Sequence, residues 1–569
     1  MDLFNRILLK FSGREEPGAG GPRAAAVLLF AAVLACYAVV VTAPFSFDPK
    51  YSIYLDISCV YWIQGLVDPG LFAHDPVSAF YRAHLGRFNP ESLWVWLTSL
   101  FMRFSPCTLG LKLLSVLACV TSAGLVRRLA ASSPARAAAG TAALLFVPYF
   151  LAMDTFYGVP RCYGLLVFLG FALALEERRF LLLPIFVSLG FIFYPAVSVM
   201  LAASAALTPF FFREQFREKG LLPRYLGALF SGALFCLLVL SRSVALENAA
   251  RAFASGTFQS SKLYQLVSAP LDTRSLSDIV PNFLLNVNEH GRLYSIFTFL
   301  LAALGAFGFL RLRKLPAMLP RAVPVLLAGA GAAFLVLYFI HPVSAARQAT
   351  FIVPLALVFL AAEALEGLAG KSLRPSALAG ICAALFFGLH PLFNEILSCG
   401  TYRPVYEYLE RLKGDAVVAA YPRGLLAETI PVFAKKTAFF SDDFTDQQIL
   451  LLKNRAEMGR RRSALLSALY SSNGDGALEL AERYGADYLV FERRYYEPWF
   501  LEEIKNSKFF PDKELAGLLA GGLDPSVFYR SAREKAALAW KDDKSEGFLL
   551  DLRALSRETF KTKVRAAVK

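Results

Sequence analysis

Cysteine is scarce and unpatterned in this 569-residue chain: eight residues, none of them in a CxxC pair and none beyond Cys399. A disulfide framework and a cysteine zinc site are thereby excluded. The stretch from Thr401 to Lys569 has no apolar run of membrane-crossing length. It also lacks a GxGxxG turn, a P-loop and a GxSxG elbow, so nothing in it marks nucleotide or serine-hydrolase chemistry. A tail without its own chemical signature fits a scaffolding, lid or acceptor-binding role. Acidic residues are outnumbered, 45 to 59, which leaves a net charge of +14. On a soluble protein that excess would suggest nucleic acid. Here the basic side chains sit in short loops between apolar runs, the pattern of loops retained in the cytoplasm, and no nucleic-acid partner is expected.

What the chain has in abundance is apolar sequence. Hydrophobic residues make up 56% and mean hydropathy is +0.48, which excludes disorder and a soluble single domain. A bilayer core takes about 20 apolar residues per helix, and lipid offers the backbone no other hydrogen-bond partner. Spans are read at Ala24–Ala43, Leu109–Leu125, Ala137–Met153, Cys162–Leu175, Phe180–Tyr194, Pro195–Phe212, Leu221–Leu240, Leu293–Phe309, Ala322–Ile340, Thr350–Leu365 and Ala377–Leu392. That makes about eleven transmembrane helices. The run after Arg6, Lys10, Arg14 and Arg23 is long for a signal-peptide core and is taken as a retained first helix. Glu91–Arg103 is amphipathic and short, a hairpin or interfacial helix.

With the N-terminus cytoplasmic, alternate loops collect Arg127-Arg128, Arg178-Arg179, Arg213/Arg217/Lys219, Arg311/Arg313/Lys314 and Lys371/Arg374 on one side. The tail then lies on the extracytoplasmic side, periplasmic if the membrane is a bacterial inner membrane. The expected organisation is a transmembrane domain, 1–398, with long external loops at 44–90 and 242–292, and an extracytoplasmic α/β domain, 399–569. In the tail Ala416–Tyr421, Ala486–Phe491 and Thr437–Phe440 are β-rich, and Ile449–Leu469 and Ala477–Tyr484 read as helices.

Ionisable groups at a membrane are costly and count as functional candidates. Four external regions gather them. The first loop carries Asp48, Asp56, Asp68, His74 and Asp75. Asp68 and Asp75, each before a proline, suit turns or helix caps as well as chemistry. Asp56, between Leu55 and Ile57, suits a turn less. The second region, Asp154 to Arg161, brackets a Gly158–Pro160 loop; a local ion pair with snorkelling is the plainer reading. The third is the Tyr194-Pro195 break, a hairpin or an opening toward a site. The fourth runs from His341 through Arg347 to Pro354, where Arg347 meets either lipid phosphate or a bound anion. The 242–292 loop adds Arg292 and is read as a cover over a cavity.

This order of features resembles the GT-C superfamily of integral-membrane glycosyltransferases. The local matches are Leu71-Phe-Ala-His-Asp75-Pro76, Gly158-Val-Pro-Arg161, Phe193-Tyr-Pro195, and Arg347 with Pro354. The last is similar to the Arg-Tyr-x-Leu-Pro segment of polyprenyl-phosphate-sugar-dependent members, with Gln348 in place of the tyrosine. No acidic pair of the Asp-x-Asp kind is present, which leaves the catalytic acid among Asp48, Asp56 and Asp75. The resemblance implies transfer of a sugar from a polyprenyl-phosphate or pyrophosphate donor to an acceptor hydroxyl on a glycan, lipid or protein, with inversion. A general base must take the hydroxyl proton, and fixed cations must meet the departing phosphate, for which arginine is suited. Asp56 is assigned as base. Asp154 orients the acceptor or holds a divalent cation, Mg or Mn. Arg161 and Arg347 hold the phosphate with His341. A lipid-linked glycan transporter or flippase, for which internal repeats and midplane polar residues would be expected, and an oligosaccharide ligase are the alternatives.

Overall fold

The structure is a computed structural model. It describes residues 51–53, most of 61–82, 92–104, scattered positions within 114–129, 160–241, 320–340, scattered positions within 352–359, and most of 397–556. The chain divides into two compact units. One comprises Met1–Phe45, Phe88–Phe104 and Leu109–Glu395; the other comprises Ser46–Arg87, Ser105–Thr108 and Ile396–Lys569.

The first unit is helical. Its longer described helices are α1 (Ser92–Phe104), α2 (Pro160–Glu176), α3 (Leu183–Phe193), α4 (Pro195–Phe211), α5 (Leu221–Ser241) and α6 (Ala322–Ile340). They fall on the runs read as spans, with α1 on the short amphipathic segment. The spans at 24–43, 137–153, 293–309 and 377–392 lie outside the described residues. Among the described residues one helix, Leu221–Val239, is long and apolar enough to cross a bilayer. At 1.5 Å per residue, the 17 residues of α2 or α4 reach about 26 Å. Leu226, Phe230, Leu234, Leu237 and Leu238 project from α5 fully or half exposed, a stripe spaced for one helix face. In water such a stripe would be costly; against hydrocarbon it is at home.

The core of this unit joins Leu165, Phe168, Phe171 and Leu175 of α2 to Val197, Met200, Leu201 and Ala205 of α4 and Val323, Val325 and Leu326 of α6. Helices α4 and α6 cross closely at Gly329: a Cβ there would lie 2.7 Å from the Ser204 backbone. At one end of the bundle the three basic loops among the described residues meet. Glu176 Oε2 accepts from the Ala322 amide at 3.2 Å and so caps α6. Glu177 pairs with Arg128 (2.6 Å) and Arg179 (3.0 Å). Phe180 packs on Phe212 and Phe216, and Phe216 on Tyr225. The loops holding Arg128, Arg178-Arg179 and Arg213/Arg217 are therefore neighbours in space.

The second unit is built on a five-stranded mixed sheet of order β4-β3-β5-β7-β6. Its strands are β3 (Val417–Ala419), β4 (Thr437–Ala438), β5 (Tyr488–Glu492), β6 (Ala536–Lys541) and β7 (Glu546–Asp551). β3 pairs in parallel with β4 and β5, whereas β7 pairs antiparallel with β5 and β6. Side chains alternate across a strand. Val417, Ala419, Leu489, Phe491, Phe548 and Leu550 pack with Leu465, Leu469 and Leu480 from α9 (Arg455–Tyr470) and α10 (Asp475–Tyr484), and with Tyr529 of α11 (Pro525–Glu534). On the opposite face, Tyr488 meets Tyr408 of α7 (Arg403–Glu410) at 6.2 Å, and α8 (Leu425–Phe433) connects β3 to β4. Both faces are covered, so β3 and β5 read as unbroken apolar runs. A second, two-stranded ribbon pairs β1 (Ser52–Ile53) with β2 (Leu397–Ser398), antiparallel. The start of the first loop is thereby fixed to the α/β unit.

Candidate functional site

The first loop is held by its own polar groups. Tyr61–Ile63 and Gln64–Val67 form consecutive helical turns, and Asp68 accepts from the Gly70 amide at 3.0 Å, an Asx turn at an exposed aspartate. Asp75 is buried. It accepts from the Tyr61 hydroxyl (2.7 Å) and from the amides of Ser78 (2.7 Å) and Val77 (3.3 Å), which places it as the cap of the turn that follows. Burial holds its carboxyl above the ordinary carboxylate range, against the pull of those hydrogen bonds. Arg82 reaches back to the carbonyls of Phe72 (2.7 Å) and Pro69 (3.2 Å). Phe72, at φ +57°, is fully buried against Tyr61. His74 is exposed.

The other candidates divide by where they fall. Asp48, Asp56, Asp154, Arg292, His341 and Arg347 lie outside the described residues. Arg161 is the second residue of α2. The turn it begins is joined to the Tyr194-Pro195 break: Tyr163 stacks on Phe193 at 5.0 Å, and the Tyr194 ring lies so close over Gly164 that a Cβ there would sit 2.8 Å from it. Tyr194 itself is extended between two helices, with Pro195 opening α4, where its missing amide costs no hydrogen bond. Two of the four regions singled out in the sequence thus meet at one end of the helical unit.

A third cluster escaped the sequence reading. β3 is followed by Tyr421 and, through α8, by β4 on one side. β5 lies on its other side and is followed by Arg493, Arg494 and Tyr495. Connections leaving adjacent parallel strands in opposite directions make a switch point, and ligands of open α/β sheets gather at its carboxyl edge. There Glu492, 2% exposed, accepts from the Tyr402 hydroxyl at 2.7 Å and pairs with Arg494 at 3.0 Å. Arg494 lies over the Tyr495 ring, and Tyr495 stacks on Tyr421 at 4.2 Å. Burial pushes the Glu492 carboxyl up, with the Arg494 charge opposing it, and pushes the Tyr402 hydroxyl up as well. The signal in the sequence was a charged run, Glu492-Arg493-Arg494, set directly behind a β-rich run. Among the described residues no group of three or more His, Cys, Asp or Glu is placed to hold a metal ion.

No family model matches this chain, and no curated protein matches it. Among solved structures it is similar to the oligosaccharyltransferase of Archaeoglobus fulgidus in its apo form, at 12% identity and a TM-score of 0.47, over 87% of this chain and 72% of that one. A complex of the same archaeal protein with Zn and sulfate aligns at 13% identity and 0.46, over 85% and 70%. ArnT from Cupriavidus metallidurans, bound to undecaprenyl phosphate, aligns at 13% identity and 0.43, over 87% and 96%. All three likenesses stand below a TM-score of 0.5.

Proposed function

We propose that this chain is an integral-membrane glycosyltransferase of the GT-C type, with about eleven spans, acting on a polyprenyl-phosphate-linked sugar at the extracytoplasmic side. The observation that carries the reading is the β1–β2 ribbon. It ties the acid-rich first loop and the α/β tail into one compact unit, so a loop suited to proton transfer and a domain suited to acceptor binding belong to the same body. The exposed apolar stripe of α5 and the gathered basic loops support the membrane part.

In this mechanism the acceptor oxygen attacks the anomeric carbon as the bond from that carbon to the phosphate oxygen breaks. Asp56 takes the hydroxyl proton. The electron pair leaves on the polyprenyl phosphate, whose growing charge is met by Arg161 and Arg347, planar donors that bind phosphate in pairs, with His341 assisting. Direct displacement inverts the anomeric centre, and no covalent enzyme intermediate forms. Asp154 orients the acceptor. Alternatively, its carboxylate would supply oxygen ligands to a divalent cation, Mg or Mn.

Asp56→Asn keeps the shape and removes the base. Transfer from a polyprenyl-phosphate hexose, followed by release of polyprenyl phosphate, is expected to fall by about 10² to 10⁴, with donor binding retained. Turnover equal to the unsubstituted protein would reject the assignment.

A further inference from the structure

We propose that the carboxyl edge of the sheet at Glu492 and Arg494 is a subsite for a hydroxyl-rich ligand, a glycan. In naming that glycan as the acceptor, the proposal rests on the transferase reading; the binding itself does not. Glu492 Oε2 is engaged by Tyr402 and Arg494, but its Oε1 is buried without a partner, and so is Nε of Arg494. Native structures pair nearly all such atoms, and an unpaired one calls for an explanation. One atom asks for a donor and the other for an acceptor, within a single ion pair. A phosphate or carboxylate would be repelled by Glu492, and an ammonium by Arg494. A neutral group that both donates and accepts satisfies both, and a sugar hydroxyl does this.

Two further features favour a sugar. An aromatic row leads from the ion pair to the surface: Arg494 on Tyr495 (4.6 Å), Tyr495 on Phe500 (5.1 Å), Phe500 on Trp499 (5.8 Å). Trp499 ends that row 58% exposed, an apolar ring face with an N–H at its edge, suited to the C–H face of a pyranose. The position, beyond the carboxyl ends of β3 and β5 at their switch point, is where sheets of this kind bind ligands.

The full-length protein in lipid nanodiscs is titrated with maltotriose, mannotriose and chitotriose, and with trialanine amide as a peptide probe. Binding is read by saturation-transfer NMR. At least one trisaccharide is expected to bind saturably, and Trp499→Ala and Arg494→Met should each weaken it about tenfold. The exposed Trp499 keeps the test independent of folding; an unchanged melting midpoint in that variant checks this. Absence of trisaccharide binding, unchanged binding in both variants, or equal binding of trialanine amide would overturn the proposal. Release of polyprenyl phosphate from a donor is followed in the same samples. Donor cleavage without saccharide binding removes this subsite alone; saccharide binding without donor cleavage removes the transferase reading and leaves the subsite standing.

Discussion

Asp75 shows how one carboxylate is given a structural task by its surroundings. Three donors converge on it, two from the backbone ahead and one from Tyr61, and burial outweighs them in setting its protonation. A carboxyl whose folded value is raised stabilises the fold fully at pH below its unfolded value, and that contribution is lost as pH rises through the folded value. Asparagine keeps the cap without the charge. The melting midpoint of Asp75→Asn, compared with the unsubstituted protein, is therefore expected to rise between pH 4 and pH 7. A constant difference across that range would show that the carboxyl stays ionised. The proline after Asp75 pointed to a turn; its burial and its contact with Tyr61, fourteen residues away, were invisible locally.

At the level of helices and strands, length and apolar content located α2 to α6, because a buried or lipid-facing helix must be apolar over its whole run. The close crossing of α4 and α6 rests on single residues. A Cβ at Gly329 would collide with Ser204 Oγ, whereas one at Gly331 meets nothing within 4 Å. Gly329→Ala is expected to destabilise by about 1–3 kcal/mol, and Gly331→Ala to be neutral or stabilising by up to about 1 kcal/mol. Thermal unfolding of the two variants side by side measures the difference, and equal midpoints would mean that the helices can part at no cost. In the tail, strands lie on the three runs read as β-rich: β3 and β4 fall inside theirs, and β5 runs one residue past Phe491 to Glu492. β6 and β7 went unread. Ala536-Ala-Leu-Ala-Trp-Lys541 is composed largely of helix formers, and its pairing with β7 overrides that preference.

For the whole molecule, the attachment of the first loop to the α/β unit is the arrangement on which the proposed chemistry depends. Tyr51 is buried, stacked on Tyr406 at 5.5 Å and edge-on to Phe433 at 5.6 Å, and its carbonyl accepts from the Cys399 amide at 2.7 Å. Tyr51→Ala is expected to cost about 3–5 kcal/mol within this unit and to open the 44–90 loop to limited proteolysis ahead of the tail. Cleavage of loop and tail at the same rate would show that the loop is held elsewhere.

The sequence by itself located the helices α2 to α6 and the three β-rich runs of the tail, and it marked the basic loops at Arg128, Arg178-Arg179 and Arg213/Arg217 that the structure brings together. These follow from hydrophobic length, charge and β-propensity, which act locally or within a segment. Only the tertiary structure decided that Ser52–Ile53 pairs with Leu397–Ser398, that the Pro160 turn meets the Tyr194 break, and that Glu492 and Arg494 share the carboxyl edge of the sheet with Tyr402. Each of these joins residues far apart in the chain, through pairing and close contacts that become favourable once the chain has closed the intervening loops, and no local pattern encodes the partner.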